Sequence, residues 1–89
     1  MRKGADKPIR FTRHAIDAME ERRLERQWIE AAVRDPQWQE SDRRDPSVMR
    51  RFRTISQRGG RVLRVAYVET ETEIRVVSAF LDRRARRPQ

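Results

Sequence analysis

Two β-branched segments in the second half of the chain decide the fold. They read Val62-Leu63-Arg64-Val65-Ala66-Tyr67-Val68 and Ile74-Arg75-Val76-Val77-Ser78-Ala79-Phe80-Leu81, and an acidic linker, residues 69–73, joins them. Each is long enough for a strand, and the linker is short enough for a hairpin. Both are apolar on both faces apart from Arg64, Arg75 and Ser78, so other elements must cover at least one face. These segments are predicted to be the centre of an antiparallel sheet.

Two amphipathic segments precede these strands. Thr12 is the predicted N-cap of a helix from Arg13 to about Arg23, whose apolar side consists of Ala15, Ile16 and Met19. A second helix is predicted from about Glu25 to Arg34 and ends before Pro36. Its apolar stripe consists of Trp28, Ile29, Ala32 and Val33. Both helices need a sheet to pack against.

Three further segments have strand character. Residues 9–11 can form a short strand, 37–40 can form a short edge strand, and 48–56 alternate irregularly before the turn at Gly59-Gly60. The sequence therefore predicts an α+β fold with two short N-terminal helices packed on one face of an antiparallel sheet of three or four strands. With 89 residues the chain is expected to be one domain, with a loose lead-in over residues 1–8 and a basic tail over 82–89.

The composition excludes several classes of protein. Cysteine is absent, which rules out disulfides, thiolate nucleophiles and sulfur-ligated zinc. No signal peptide or membrane span is visible, so a cytoplasmic location and no membrane partner are expected. No phosphate-binding loop or metal-binding motif is present, and neither a cofactor nor a metal is expected. The oligomeric state cannot be read from the sequence.

The charge is uneven along the chain. Residues 1–45 hold 11 basic and 10 acidic groups, a net of +1, whereas residues 46–89 hold 11 and 4, a net of +7. Such an asymmetry favours RNA or another polyanion, or an acidic partner protein, as the ligand. Because nearly all the basic residues are arginine, codon composition is the alternative explanation of the bias.

Some side chains are candidates for binding or chemistry. His14 is the only histidine and thus the only imidazole base, or else an ordinary surface residue. Arg64 and Arg75 lie on the predicted central strands and can stabilise a phosphate, while Tyr67 can assist proton transfer or belong to the core. The anion-binding candidates are Arg22, Arg53, Arg83 and Arg84. Trp28 and Trp38 can stack on bases, although Trp28 fits the core better.

The opening Phe11-Thr12-Arg13-His14-Ala15, followed by Met19-Glu20-Glu21-Arg22 and by Asp35-Pro36, resembles a family of small uncharacterised bacterial domains. The strand Arg75-Val76-Val77-Ser78-Ala79 and the arginines after it resemble BrnT-type ribonuclease toxins, which have a RelE-like fold. Ala18 and Phe80 stand where the two patterns have arginine.

The resemblance implies a toxin or toxin-derived domain that binds RNA. Its activity would be metal-independent cleavage, with the 2′-hydroxyl attacking the adjacent phosphate. His14 or Tyr67 would move the proton and strand arginines would stabilise the charge. An acidic antitoxin-like protein is the partner that it implies. The alternative function is a non-catalytic module whose basic surface binds nucleic acid or an acidic protein.

Overall fold

The computed structural model describes residues 7–88 as one five-stranded mixed sheet with two helices. The strands are β1 (Ile9–Phe11), β2 (Trp38–Ser41), β3 (Val48–Ile55), β4 (Arg61–Glu69) and β5 (Ile74–Leu81). The helices are α1 (Arg13–Arg22) and α2 (Arg26–Arg34), both between β1 and β2, and a single 3-10 turn spans Ser56–Arg58. The strand order is β1-β5-β4-β3-β2. None of the described helices is long and apolar enough to cross a membrane.

The prediction of two N-terminal helices packed on an antiparallel sheet of three or four strands was wrong. The sheet has five strands, and the helices follow the first of them. β1 runs parallel to β5, with Ile9 opposite Ile74 and Phe11 opposite Val76. The short strand predicted at residues 9–11 is present, but its partner lies at the other end of the chain, so no local pattern reveals the parallel pairing. The predicted loose lead-in over residues 1–8 lies largely outside the described residues.

One face of the sheet is covered by the helices. α1 packs on β5, while α2 packs on β3 and β4. The apolar stripe of α2 is confirmed, because Trp28, Ile29, Ala32 and Val33 are all buried. In α1 the buried residues are Ala15 and Ala18, and Ile16 is 38% exposed. The two alanines let α1 lie close to the sheet, and this leaves Ile16 outside the core.

Arginine side chains cap the carboxyl ends of the helices. From β3, Arg51 donates to the carbonyl of Val33, and Arg53 Nη1 donates to the carbonyl of Asp35 at 2.7 Å. Arg58 Nη1 donates to the carbonyl of Arg23 at 3.2 Å. The last carbonyls of a helix have no partner within it, and they carry partial negative charge. Three arginines of the basic half therefore fix the helices to the sheet.

Among residues 7–88 both helices lie on one face, and the opposite face, which no described helix covers, is called here the open face. One cross-strand row lies on it: Trp38 of β2 is in register with Phe52, Phe52 with Arg64, and Arg64 with Phe80 of β5. Side chains alternate along a strand, so Arg64 lies on the open face, whereas its neighbours Leu63 and Val65 belong to the core beneath the helices. Trp38, Phe52, Arg64 and Phe80 are called the aromatic row.

Candidate nucleic-acid interface

A recess lined by arginines lies at one end of the sheet, where the C-terminal end of α1, the β3–β4 connection and the end of β5 meet. Its lining residues are Arg22, Arg58, Arg61, Phe80 and Leu81. We call it the basic recess. Its volume is about 310 Å³, at the small end for ligand pockets, which suits a phosphate group or one base better than a bulky cofactor.

Local sequence accounts for two of these arginines. Arg58 and Arg61 flank Gly59 and Gly60, which have φ values of 68° and 78°. Glycine adopts this left-handed backbone without steric cost, and with the preceding 3-10 turn the two glycines reverse the chain over residues 56–60. The tight reversal holds both arginines at the same end of the sheet, and Arg22 joins them from the last turn of α1.

The basic recess is not neutralised by carboxylates. No acidic side chain lies among its lining residues in the described chain. Arg22 is 3.9 Å from Glu21 in an exposed pair, a distance at which the interaction is weak. Arg58 instead points to a backbone carbonyl, and its guanidinium lies 5.9 Å from the centroid of the Trp28 ring. The positive charge of the recess is therefore available to an anion.

The basic tail continues from β5 beside the recess. Asp82 anchors its start, since its backbone N–H donates to Val62 and its carboxylate accepts from the backbone N–H of Arg84. Arg83 and Arg84, both predicted anion-binding residues, are exposed directly after this anchor. The tail thus adds exposed guanidinium groups to the same end of the sheet.

The aromatic row crosses the open face and reaches the recess through Phe80. Trp38 and Phe52 are parallel, with ring centroids 4.8 Å apart and 4° between their planes. The Arg64 guanidinium lies 4.6 Å from the centroid of Phe80. Phe80 belongs to both features, so the open face and the basic recess form one continuous surface.

Arg64, a predicted catalytic residue, is held within this row. Its Nη1 donates to Asp82 at 3.1 Å, and both side chains are mostly buried. Its Nε is buried without a hydrogen-bond partner. The guanidinium is therefore engaged by Asp82 and Phe80, and it is not directed into open space.

Arg75 lies elsewhere on the open face. It lines a second recess near β1, together with Arg10, Phe11, Thr12 and Glu73. The Glu73 carboxylate is 2.8 Å from Arg75 and 3.5 Å from Arg10, and it is mostly buried. One carboxylate thus neutralises part of the charge there, in contrast to the basic recess.

Tyr67 and Arg53 lie on the side of the sheet that carries the helices. Tyr67 is 1% exposed and belongs to the core, with the Arg51 guanidinium 5.0 Å from its ring centroid. Burial raises the pKa of the Tyr67 hydroxyl, although the nearby Arg51 charge opposes this shift. Arg53 caps α2 and pairs with Asp35 at 3.3 Å.

His14 is exposed at the second position of α1. Arg22 ends the same helix eight residues later, so the two are about 12 Å apart along the axis. His14 therefore lies at the end of α1 remote from the basic recess. The predicted catalytic set of His14, Tyr67, Arg64 and Arg75 is not brought together in one place, because Tyr67 and Arg64 lie on opposite faces of the sheet.

A larger apolar groove of about 640 Å³ runs between α1, β1 and the start of α2. Its apolar residues are Phe11, Ile16, Met19 and Leu24. Two glutamates and two arginines complete its lining, so it is charge-balanced and unsuited to a polyanion. Within residues 7–88, no three His, Asp or Glu side chains are grouped so that they could hold a metal ion.

Sequence reasoning named Arg22 but missed Arg58 and Arg61. The available signal was their position on either side of two glycines, because a glycine reversal brings its flanking residues together. Nothing local indicates that Phe80 joins them, since it comes from the last strand.

One comparison with known proteins gives a match. The model of a domain of unknown function (DUF4258) matches residues 11–81, from the end of β1 to the end of β5. This confirms the expectation of a small uncharacterised domain family, and no link to BrnT or RelE proteins appears. No curated protein and no solved structure matches the chain significantly. The matched region contains the aromatic row and the whole basic recess, whereas the basic tail lies outside it.

Proposed function

We propose that this chain, which belongs to the DUF4258 family, is an RNA-binding module that holds the phosphate backbone in the basic recess and along the basic tail. The observation that carries the proposal is the lining of the recess: Arg22, Arg58 and Arg61 surround it beside Phe80, and none of the described carboxylates lies among them. Guanidinium groups bind phosphate oxygens with two parallel hydrogen bonds, and an aromatic ring adds stacking to a base.

Binding is supported better than cleavage by the placement of the candidate residues. General-base catalysis requires an imidazole within hydrogen-bond reach of the attacking hydroxyl. His14, the only histidine, stands about 12 Å along α1 from Arg22. A strand held in the basic recess would therefore keep its phosphate far from the imidazole.

A toxin-like ribonuclease is the second candidate, because His14 is exposed and lies at the N-terminal end of α1, where helix amide groups attract phosphate. In that case His14→Ala lowers RNA cleavage by about 10²-fold or more. Induced expression would also arrest growth, and the neighbouring gene would relieve the arrest. An acidic antitoxin-like protein would use the same charge complementarity as RNA and would compete with it for the recess.

The decisive experiment compares two double variants that remove the same charge. Arg22→Gln with Arg61→Gln removes two of the three arginines of the basic recess, while Arg43→Gln with Arg44→Gln removes two exposed arginines from the β2–β3 loop at the other end of the sheet. Fluorescence anisotropy with a labelled single-stranded RNA measures the affinity at fixed salt. We expect a loss of about tenfold or more in the first variant and less than threefold in the second.

Equal losses in the two double variants would show that only net charge matters and would reject the recess. Absence of binding to RNA at low salt would reject the proposal altogether. Gel analysis of the same samples tests the second candidate, since cleavage that His14→Ala abolishes would assign the chain to the ribonucleases.

A further inference from the structure

The open face has a feature that phosphate binding does not require. Trp38 and Phe52 are stacked in parallel, and Arg64 lies over Phe80, so three aromatic rings and one guanidinium form a continuous row across β2, β3, β4 and β5. With strands about 4.8 Å apart, the row spans about 14 Å. Phe52 is 3% exposed, so a ligand on this face reaches the rings at the two ends of the row, Trp38 and Phe80.

The two ends of the row lie at edges of the sheet. β2 is an edge strand, and one ring face of Trp38 is turned to Phe52 on β3, so the other ring face is directed away from the sheet. At the other end of the row, β4 lies on one side of Phe80. On its other side β5 has no described neighbour there, because β1 pairs only with Ile74–Val76. Both Trp38 and Phe80 are partly exposed.

Charge indicates what can cover this face. The row contains Arg64 and ends at the basic recess, where the charge is not neutralised. An apolar protein surface would leave the recess arginines unpaired, whereas a nucleic acid supplies bases for the rings and phosphates for the arginines at once. Bases stack on such side chains only when they are unpaired, as they are in single-stranded RNA.

We infer that the outer ring face of Trp38 is a second base-binding position, and that the protein prefers single-stranded RNA with unpaired bases to a duplex. The inference rests on the proposed function, because the basic recess supplies the electrostatic part of the affinity. In this arrangement one base stacks beside Phe80 at the recess, the backbone crosses the open face, and a later base stacks on Trp38.

Tryptophan emission reports this contact directly. The chain has two tryptophans, and Trp28 lies on the buried side of α2 in the core. In Trp28→Phe the emission comes from Trp38 alone, and single-stranded RNA should quench it in proportion to binding. The matched variant Trp38→Phe leaves only Trp28, which is 8% exposed. RNA in the basic recess reaches this ring only through Arg58, whose guanidinium is 5.9 Å from it, so the quenching should be several-fold smaller than that of Trp38. If Trp28→Phe fails to fold, the native protein compared with Trp38→Phe gives the same difference.

Affinity supplies the second measurement. Trp38→Ala should weaken binding of single-stranded RNA by about fivefold or more, the loss that removal of one stacked base produces. It should leave binding of a duplex of the same sequence unchanged. Single-stranded DNA of that sequence tests whether the sugar matters, since stacking alone predicts quenching with either strand.

The outcomes separate this inference from the proposed function. RNA binding that depends on Arg22 and Arg61, but gives no quenching of Trp38 and no preference for single strands, overturns the inference and keeps the proposed function. No binding to any nucleic acid overturns both. A change of molar mass in Trp38→Ala, measured by light scattering, would show that the open face contacts another protein copy and would also overturn the inference.

Discussion

The guanidinium of Arg51 on β3 bonds the carbonyl of Val33 in the last turn of α2 and lies over the ring of Tyr67. One side chain thus joins the helix, the neighbouring strand and the core. Val33 is fully buried, so its carbonyl has little access to water. Arg51 therefore gives the Val33 carbonyl the hydrogen-bond donor that water cannot readily provide.

Replacing Arg51 by methionine should lower the free energy of unfolding by about 1 to 3 kcal/mol, because the substitution leaves a buried carbonyl without its donor. Urea denaturation measures the change. Arg43→Met, in the exposed loop, is the control and should change stability by less than about 0.5 kcal/mol. Equal effects of the two substitutions would show that Arg51 contributes only its charge.

Arg23 ends α1 in the left-handed region, with φ 56° and ψ 47°. Its N–H donates to Glu20, and the N–H of Leu24 donates to Met19, an arrangement that usually places glycine at this position. Arg23→Gly should therefore raise the free energy of unfolding by about 0.5 to 1 kcal/mol, after the entropy of the more flexible unfolded chain is subtracted. A thermal melt that shows destabilisation instead would contradict this view of the cap.

The basic tail should govern the salt dependence of RNA binding. We expect affinity to fall tenfold or more between about 50 and 200 mM salt. A chain that stops after Asp82 loses Arg83, Arg84, Arg86 and Arg87, and its plot of log affinity against log salt should have a smaller slope. Circular dichroism should be unchanged, because Asp82 keeps its contacts with Val62 and Arg64. An unaltered slope would place the phosphate contacts in the recess alone.

Alkaline pH should destabilise the fold through Tyr67. Burial raises the pKa of its hydroxyl above the ordinary value of 10.0. The folded chain therefore keeps a proton that the unfolded chain loses, so the contribution is complete below about pH 10 and is lost as pH rises toward the folded pKa. Urea unfolding between pH 9 and 11.5 measures the effect.

The control for this prediction is Tyr67→Phe, which keeps the buried ring and removes the hydroxyl whose pKa is raised. This variant should lose less stability at alkaline pH than the native chain. A loss of the same size with and without the Tyr67 hydroxyl would assign it to another group.

The elements of the fold that are predicted correctly are those with a local pattern of apolar residues. The stripe from Trp28 to Val33 and the hairpin around residues 69–73 follow from spacing and β-branching. The short strand at residues 9–11 is also predicted, but its parallel pairing with β5 is not, since its partner Ile74 lies far along the chain. The faces of the strand arginines also depend on register: Arg53 opposes Leu63 beneath the helices, whereas Arg64 opposes Phe52 on the open face.

The candidate interface was harder to predict than the elements that build it. Arg22, Arg61 and Phe80 come from a helix end, a turn and the last strand, and only the assembled sheet brings them together. A basic second half of the chain indicates a polyanion, but it does not indicate which arginines a carboxylate neutralises. In the structure Glu73 pairs with Arg75, and Asp82 pairs with Arg64. These pairings depend on the fold.

The parallel pairing of β1 with β5 has a consequence for synthesis. β5 lies between β1 and β4, so the first strand to leave the ribosome has no sheet partner until residues 74–76 have emerged. Closing so long a loop carries a large entropic cost and slows folding. Until then the outer edge of β4 is also unpaired, a state that favours association with other chains. The sheet of the domain is therefore complete only after β5, the last of the described strands, has emerged.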